Sequence, residues 1–299
     1  MLGTASAMPV SGRNQSAQAL SVSGRLFLVD CGEGVQAQFL KFKVPMMRLD
    51  TVFISHIHGD HVFGIFGLLS TLGMMGRQAP LNIFAPVSFG PILKFFLSYY
   101  GDGVTFDIRF TPLKMKAPET ILETKSIEVQ AFPLNHGIET FGFLFREKEP
   151  QMNVRKEAIP AWGLTLTEIG TLKRGEDVVR EDGTVIRNAE AAYKPFEPRS
   201  YAYVSDTAPF PEEARWLQGV TVLYHEATYL NALADQGALR HHSTTLQAAS
   251  LAAACGAGKL LIGHYSSRNL NPKDYEAECR AVFPETYAAS DGDVFEIGK

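Results

Sequence analysis

The sequence predicts a layered α/β fold, and three observations carry that expectation. Short apolar runs of strand character alternate with segments of helical periodicity along most of the chain. At 299 residues, with 45% hydrophobic and 20% charged content, the chain can bury a large core and has an ordinary globular balance. The most chemically capable side chains also fall just after the apolar runs, where ligands collect in α/β sheets.

Taken in order, Arg25-Leu-Phe-Leu-Val-Asp30 predicts a strand. Gly34 to Val44 predicts a helix with Val35, Phe39 and Phe42 on one face. Thr51-Val-Phe-Ile-Ser55 predicts a buried strand, followed by a loop and an apolar helix from about Phe63 to Leu72. Phe89, Ile92, Leu93, Phe96 and Tyr100 recur at helical spacing. Further strands are expected at Ile127 to Phe132, Tyr201 to Ser205, Val220 to Tyr224 and Lys259 to Gly263. Ala248 to Cys255 reads as a small-residue helix ending near Gly256, with Ser243 or Thr244 available as its N-cap. Between about Arg146 and Arg199 this rhythm fails: ten basic and ten acidic residues stand among little core patterning. There Val178 to Ile186 places an Asp-Gly turn between two β-rich runs, a hairpin signal. This stretch is expected to be an inserted, protruding arm rather than a second domain.

Composition narrows the function. A formal net charge of -4 argues against a polycation that coats nucleic acid without specificity, although a local basic patch remains compatible with it. Cys31, Cys255 and Cys279 are too widely spaced for a zinc ribbon or a disulfide framework, which suits a reducing cytoplasm. No signal-peptide pattern and no apolar stretch of spanning length is present, so no membrane role is expected.

The central signal is His56-Ile-His58-Gly-Asp60-His61, four potential ligands within six residues at the end of a strand. Imidazole and carboxylate suit zinc, and a cluster this dense can serve two ions. The other candidates repeat the placement. His136, Asp206, His225-Glu226 and His264 each follow an apolar strand, so all could share one cleft. Each has a plainer explanation alone: Asp206 as a turn residue before Pro209, His225 as a core histidine, one of His241 and His242 as a solvated one. Two zinc ions about 3.5–4 Å apart would acidify a bridging water and clamp the oxygens of an in-line displacement. Asp206 would bridge them, Asp60 would orient the nucleophile or take its proton, and His242 with Glu226 is the candidate acid at the leaving group.

These residues resemble the metallo-β-lactamase fold superfamily and, more narrowly, the ribonuclease Z family of endonucleases that remove the 3′ trailer from precursor tRNA. The markers are Leu2-Gly-Thr4, Arg13-Asn14, Asp30-Cys-Gly-Glu-Gly34, Ser55 to Gly64, Ser205-Asp-Thr207, His225-Glu-Ala-Thr228, His242-Ser-Thr244 and His264-Tyr-Ser-Ser-Arg268. The resemblance implies one αβ/βα sandwich domain over residues 1–299, with the arm at 146–199 gripping the tRNA body. It implies two zinc ions per subunit, with His56, His58 and His136 on one ion, Asp60, His61 and His264 on the other, and Asp206 bridging. Asp60 would be the proton acceptor and His242 would assist departure of the 3′ oxygen, leaving a tRNA 3′ hydroxyl and a 5′-phosphorylated trailer. It implies a homodimer with no membrane and no DNA partner. Family arms commonly carry a Gly-Pro-rich tip, where this chain has Ile159-Pro-Ala-Trp-Gly-Leu164 and a weak match to Lys173. The family also begins a few strand residues before Leu2, so the first strand is short or the natural start lies upstream. Two other readings are a hydrolase of small phosphodiesters, sulfate esters or lactams on the same scaffold, and a non-catalytic binding relative.

Overall fold

The computed structural model describes residues 1–269 and 271–298. It divides into two compact units, one of residues 1–123, 129–145 and 200–299, the other of residues 124–128 and 146–199.

The first unit is built on two sheets. One has the order β1 (Gln18–Val22), β2 (Arg25–Val29), β3 (Leu49–Phe53), β4 (Leu81–Pro86), β5 (Ile108–Leu113). β1 pairs antiparallel with β2, and the remaining neighbours are parallel. The chain continues through β6 (Glu119–Glu123), β7 (Ile127–Pro133) and β8 (Phe141–Glu147), then through four short strands, β9 (Asn153–Val154), β10 (Val178–Val179), β11 (Val185–Ile186) and β12 (Ala192–Tyr193). It ends with β13 (Ser200–Val204), β14 (Val222–Glu226), β15 (Lys259–Gly263) and β16 (Thr286–Ala288). The second large sheet has the order β16-β15-β14-β13-β8-β7-β6, with β13 to β16 parallel.

Strand periodicity fixes the layers, because successive side chains point to opposite faces. On the first sheet Leu28, Val52, Ile54, Ile83 and Ala85 share a core with the helices Val35–Lys41, Gly64–Met74 and Phe89–Tyr100. The alternate residues Phe27, Phe53 and Phe84 face the other sheet. There the Phe53 ring lies 5.2 Å from Phe143 and 5.3 Å from Phe145, both on β8. On the far face of the second sheet, Ala202, Val204, Leu223, Leu260 and Ile262 pack on helices Thr245–Ala254 and Pro272–Arg280. The result is a helix–sheet–sheet–helix sandwich, the α/β class expected.

Most elements lie within a few residues of their expected bounds. Helix Thr245–Ala254 is capped by Thr244, whose hydroxyl accepts from the Gln247 amide while the Gln247 side chain accepts from the Thr244 amide. Among the described residues no helix is long and apolar enough to cross a membrane.

The second unit corrects the expectation of little buried patterning. Ala158, Leu164, Leu172, Val178, Ile186 and Ala191 form a small core of their own. They escape notice in the sequence because they are widely spaced and two of the six are alanine. Helices Ala158–Trp162 and Leu166–Lys173 carry part of this core, the second one capped by a reciprocal Thr165–Glu168 pair. Val178 pairs with Ile186 and Val179 with Val185, as the Asp-Gly turn suggested, and Gly183 takes the left-handed φ of 86° that the turn requires.

Replacing the inter-sheet ring with Phe53→Ala is expected to lower unfolding free energy by about 3–5 kcal/mol. Denaturant titration checks it, and a loss below about 1 kcal/mol would mean that the aromatic layer is not a stability determinant.

Candidate metal centre

β3 ends at Phe53, and the chain turns sharply through His56 and His58 into the one-turn helix Gly59–Val62. This loop is stitched to the end of β2: Cys31 N donates to His61 O at 2.7 Å and Gly64 N to Cys31 O at 2.8 Å. Gly64 is required there, since a Cβ would stand 2.0 Å from the Gly32 carbonyl oxygen. His136 follows β7, Asp206 follows β13, Glu226 closes β14 and His264 follows β15. Strand ends from both sheets therefore converge on one place.

Donor atoms of His56, His58, His136 and Asp206 lie within 4.8 Å of one another, as do those of Asp60, His61 and His264. Asp206 lies between the two sets. Its Oδ2 is 3.6 Å from His56 Nε2 and 3.9 Å from His136 Nε2, while Oδ1 is 3.4 Å from His61 Nε2 and 3.2 Å from His264 Nε2. One carboxylate thus turns one oxygen toward each set. Asp60 Oδ2 stands 3.4 Å from His61 Nε2 and 3.5 Å from His264 Nε2.

Neighbouring acceptors decide which ring nitrogen faces inward. His61 Nδ1 donates to Asp30 Oδ2 at 2.7 Å, and His136 Nδ1 to the His241 carbonyl at 2.9 Å. His264 Nδ1 donates to Thr228 Oγ1 at 2.8 Å, a hydroxyl whose own proton goes to Glu226 Oε2 at 2.6 Å. In each ring the outward nitrogen carries the proton and the inward Nε2 is left as a potential ligand. The inward nitrogens then crowd together, His61 Nε2 at 3.1 Å from His264 Nε2 and His56 Nε2 at 3.1 Å from His58 Nδ1. Lone pairs so close repel unless a cation or a proton lies between them. Imidazole and carboxylate in this arrangement form the donor set of a divalent metal, and the residues fit one.

The electrostatics agree. Burial lowers the pKa of His56, His58 and His136, favouring the neutral, ligating form. Burial opposes a charge on Asp60 and Asp206, but the surrounding imidazoles outweigh it and hold both well below the usual carboxylate range. His61 is also penalised by burial, yet the carboxylates of Asp206, Asp60 and Asp30 raise it well above its ordinary value. Positive charge is wanted at this spot.

His242 sits beside the centre, its Nε2 3.9 Å from Asp206 Oδ2 and its Nδ1 2.9 Å from Glu226 Oε1. Burial alone would depress it, but the Glu226 carboxylate pushes it up to about 9. Glu226 is fully buried and saturated: Oε1 also accepts from the Thr207 and Ser243 amides, and Oε2 from the Thr228 amide and hydroxyl. It therefore reaches the centre only through His242 and Thr228. His225, expected to share the cleft, turns away, and His241 is the exposed member of its pair, as one of the two was expected to be. His241 contributes its carbonyl to His136, not its ring. His225 is a core histidine, with Nδ1 donating to the Glu226 carbonyl at 2.6 Å and Nε2 3.6 Å from Glu213. Sequence reasoning gave no role to Asp30, Ser55 or Thr228, the supports of the imidazoles. The available signal was position, because each is a polar residue at a strand end next to a ligand-bearing stretch.

A family model described as anti-Pycsar protein Apyc1 matches residues 1–151, the half that carries the His56–His61 loop and His136. Ribonuclease Z of Cytophaga hutchinsonii is 39% identical over 298 residues, covering 99% of this chain and 95% of that protein. Human tRNase Z, short form, superposes with a TM-score of 0.71 at 24% identity, covering 99% of this chain and 98% of that one. YhfI of Bacillus subtilis, a metallo-β-lactamase fold protein, superposes with a TM-score of 0.68 at 18% identity, covering 99% of this chain and 97% of that one.

The Glu213 carboxylate outweighs burial and raises the pKa of His225, so the pair adds stability below the unfolded value near 6.5 and loses it as pH rises through the higher folded value. Glu213→Gln is accordingly expected to cost more stability at about pH 5.5 than at about pH 9, read from denaturant unfolding at the two values. An equal cost at both would show the pair to be uncharged.

Proposed function

The chain belongs to the ribonuclease Z family, and from that premise we propose that it is a zinc-dependent endoribonuclease that removes the 3′ trailer from precursor tRNA. It is a hydrolase of RNA phosphodiesters, yielding a tRNA 3′ hydroxyl and a trailer with a 5′ phosphate. The observation that carries the chemistry is Asp206, with one oxygen toward each of two donor sets. His56, His58 and His136 would hold one zinc ion, Asp60, His61 and His264 the other, and Asp206 would bridge them. When bound, such ions acidify water and neutralise phosphate oxygens.

The chain's own groups divide the remaining work. Asp60, fixed by the Ala7 amide at 2.7 Å on Oδ2, takes the proton of the attacking water. His242, held by Glu226 and pushed up to about 9, is protonated at neutral pH and gives its proton to the departing 3′ oxygen. Glu226 is a positioning residue for His242. The arm at 146–199 grips the tRNA body, a role supported by a cavity within it lined by Arg155, Lys156, Lys173 and Tyr193. The working unit proposed is a cytoplasmic homodimer, as the family resemblance implies.

The decisive experiment incubates the zinc-loaded protein with a trailer-bearing tRNA precursor and maps both product ends. Cleavage at the trailer boundary is expected; cutting only a small phosphodiester would reject the reading. Asp60→Ala and His242→Ala are each expected to lower turnover by about 10²–10⁴-fold with the circular dichroism spectrum unchanged. Deleting the arm should weaken precursor tRNA binding far more than hydrolysis of a small phosphodiester, and equal losses would make the arm a structural element.

A further inference from the structure

Asp30 follows β2 in a left-handed backbone conformation, φ 56°, uncommon for a non-glycine residue but more accessible to aspartate than to most. Its side chain is fully buried and takes four donors on two oxygens. Oδ1 accepts from the Ser55 amide at 2.7 Å. Oδ2 accepts from Ser55 Oγ at 2.8 Å, His61 Nδ1 at 2.7 Å and the Tyr203 hydroxyl at 2.6 Å.

The Ser55 contact extends this reach. A hydroxyl has one proton, and the carboxylate at 2.8 Å is a better acceptor for it than Ser205 Oγ at 3.3 Å. Ser55 Oγ is then the acceptor for His56 Nδ1–H at 2.9 Å, which leaves His56 Nε2 facing inward. Asp30 thus orients His61 directly and His56 through one hydroxyl, and these two imidazoles belong to different donor sets. Among the five histidines of the two donor sets the remaining supports are one-sided: the His241 carbonyl serves only His136, and Thr228, which also lies 3.4 Å from His242 Nδ1, serves only His264.

We propose that Asp30 is the positioning residue that couples the two halves of the metal centre, so that both ions depend on one buried carboxylate. The proposal rests on the zinc reading of the site. Its test titrates metal-free protein with zinc in competition with a chromophoric chelator, for the parent chain, Asp30→Asn and Ser55→Ala, with circular dichroism to verify the fold.

The parent should bind two zinc ions per chain. Asp30→Asn should bind both about 10–100-fold more weakly, the range typical of lost partners behind ligating histidines. Ser55→Ala, which cuts only the branch to His56, should weaken one ion and spare the other. Absence of zinc binding in the parent would sink the zinc reading and the proposal together. Two ions in the parent, with either constant unchanged in Asp30→Asn, would overturn the coupling alone. Should Asp30→Asn fail to fold, Ser55→Ala still decides, since unchanged affinity for both ions contradicts the branch through the hydroxyl.

Discussion

Five imidazoles and two carboxylates are drawn together at the strand ends of the two sheets, most of them out of water. Polar and charged groups so placed are costly unless each has a partner of the right kind. The surrounding polar architecture answers that requirement. Asp30, Thr228, Ser55 and the His241 carbonyl take the outward imidazole protons, and Asp206 and Asp60 face the inward nitrogens. What is left unbalanced is a position for a cation, which is why the arrangement reads as a metal centre rather than a buried polar network.

Precision at such a site comes from what cannot move. The inner layer of Phe27, Phe53, Phe84, Phe143 and Phe145 fixes the spacing of the sheets whose strands end at the centre. The loop carrying His56 to His61 is tied to Cys31 by backbone hydrogen bonds, with Gly64 permitting the close approach. His264 and Asp30 take left-handed backbone angles that their contacts hold in place. Strain of this kind persists where surrounding structure over-determines it, a common property of functional sites.

The second unit follows a different logic. Its small core and its hairpin make it compact by itself, while Arg155, Lys156 and Lys173 remain at its surface around a cavity. Charge of both signs there hid the basic surface from a net count, because ten acidic residues offset the ten basic ones. Pairs such as Arg180 with Glu168, at 2.6 Å, consume part of the charge in holding the unit together.

The sequence alone determined which residues are able to bind a metal and where the strands that present them run, because ligand chemistry and two-residue periodicity are local properties. It also carried the kinship, through motifs such as His225-Glu-Ala-Thr228 and His242-Ser-Thr244. It named Glu226 as the candidate partner of His242 and left His225 open between cleft and core, since adjacent residues on a strand face opposite ways and only the packed sheet says which side is the core. The tertiary structure decided that His225 pairs with Glu213, that Glu226 serves His242, and that Asp30 reaches both donor sets. Those contacts join residues far apart in the chain, and their geometry exists only once the two sheets have closed on each other.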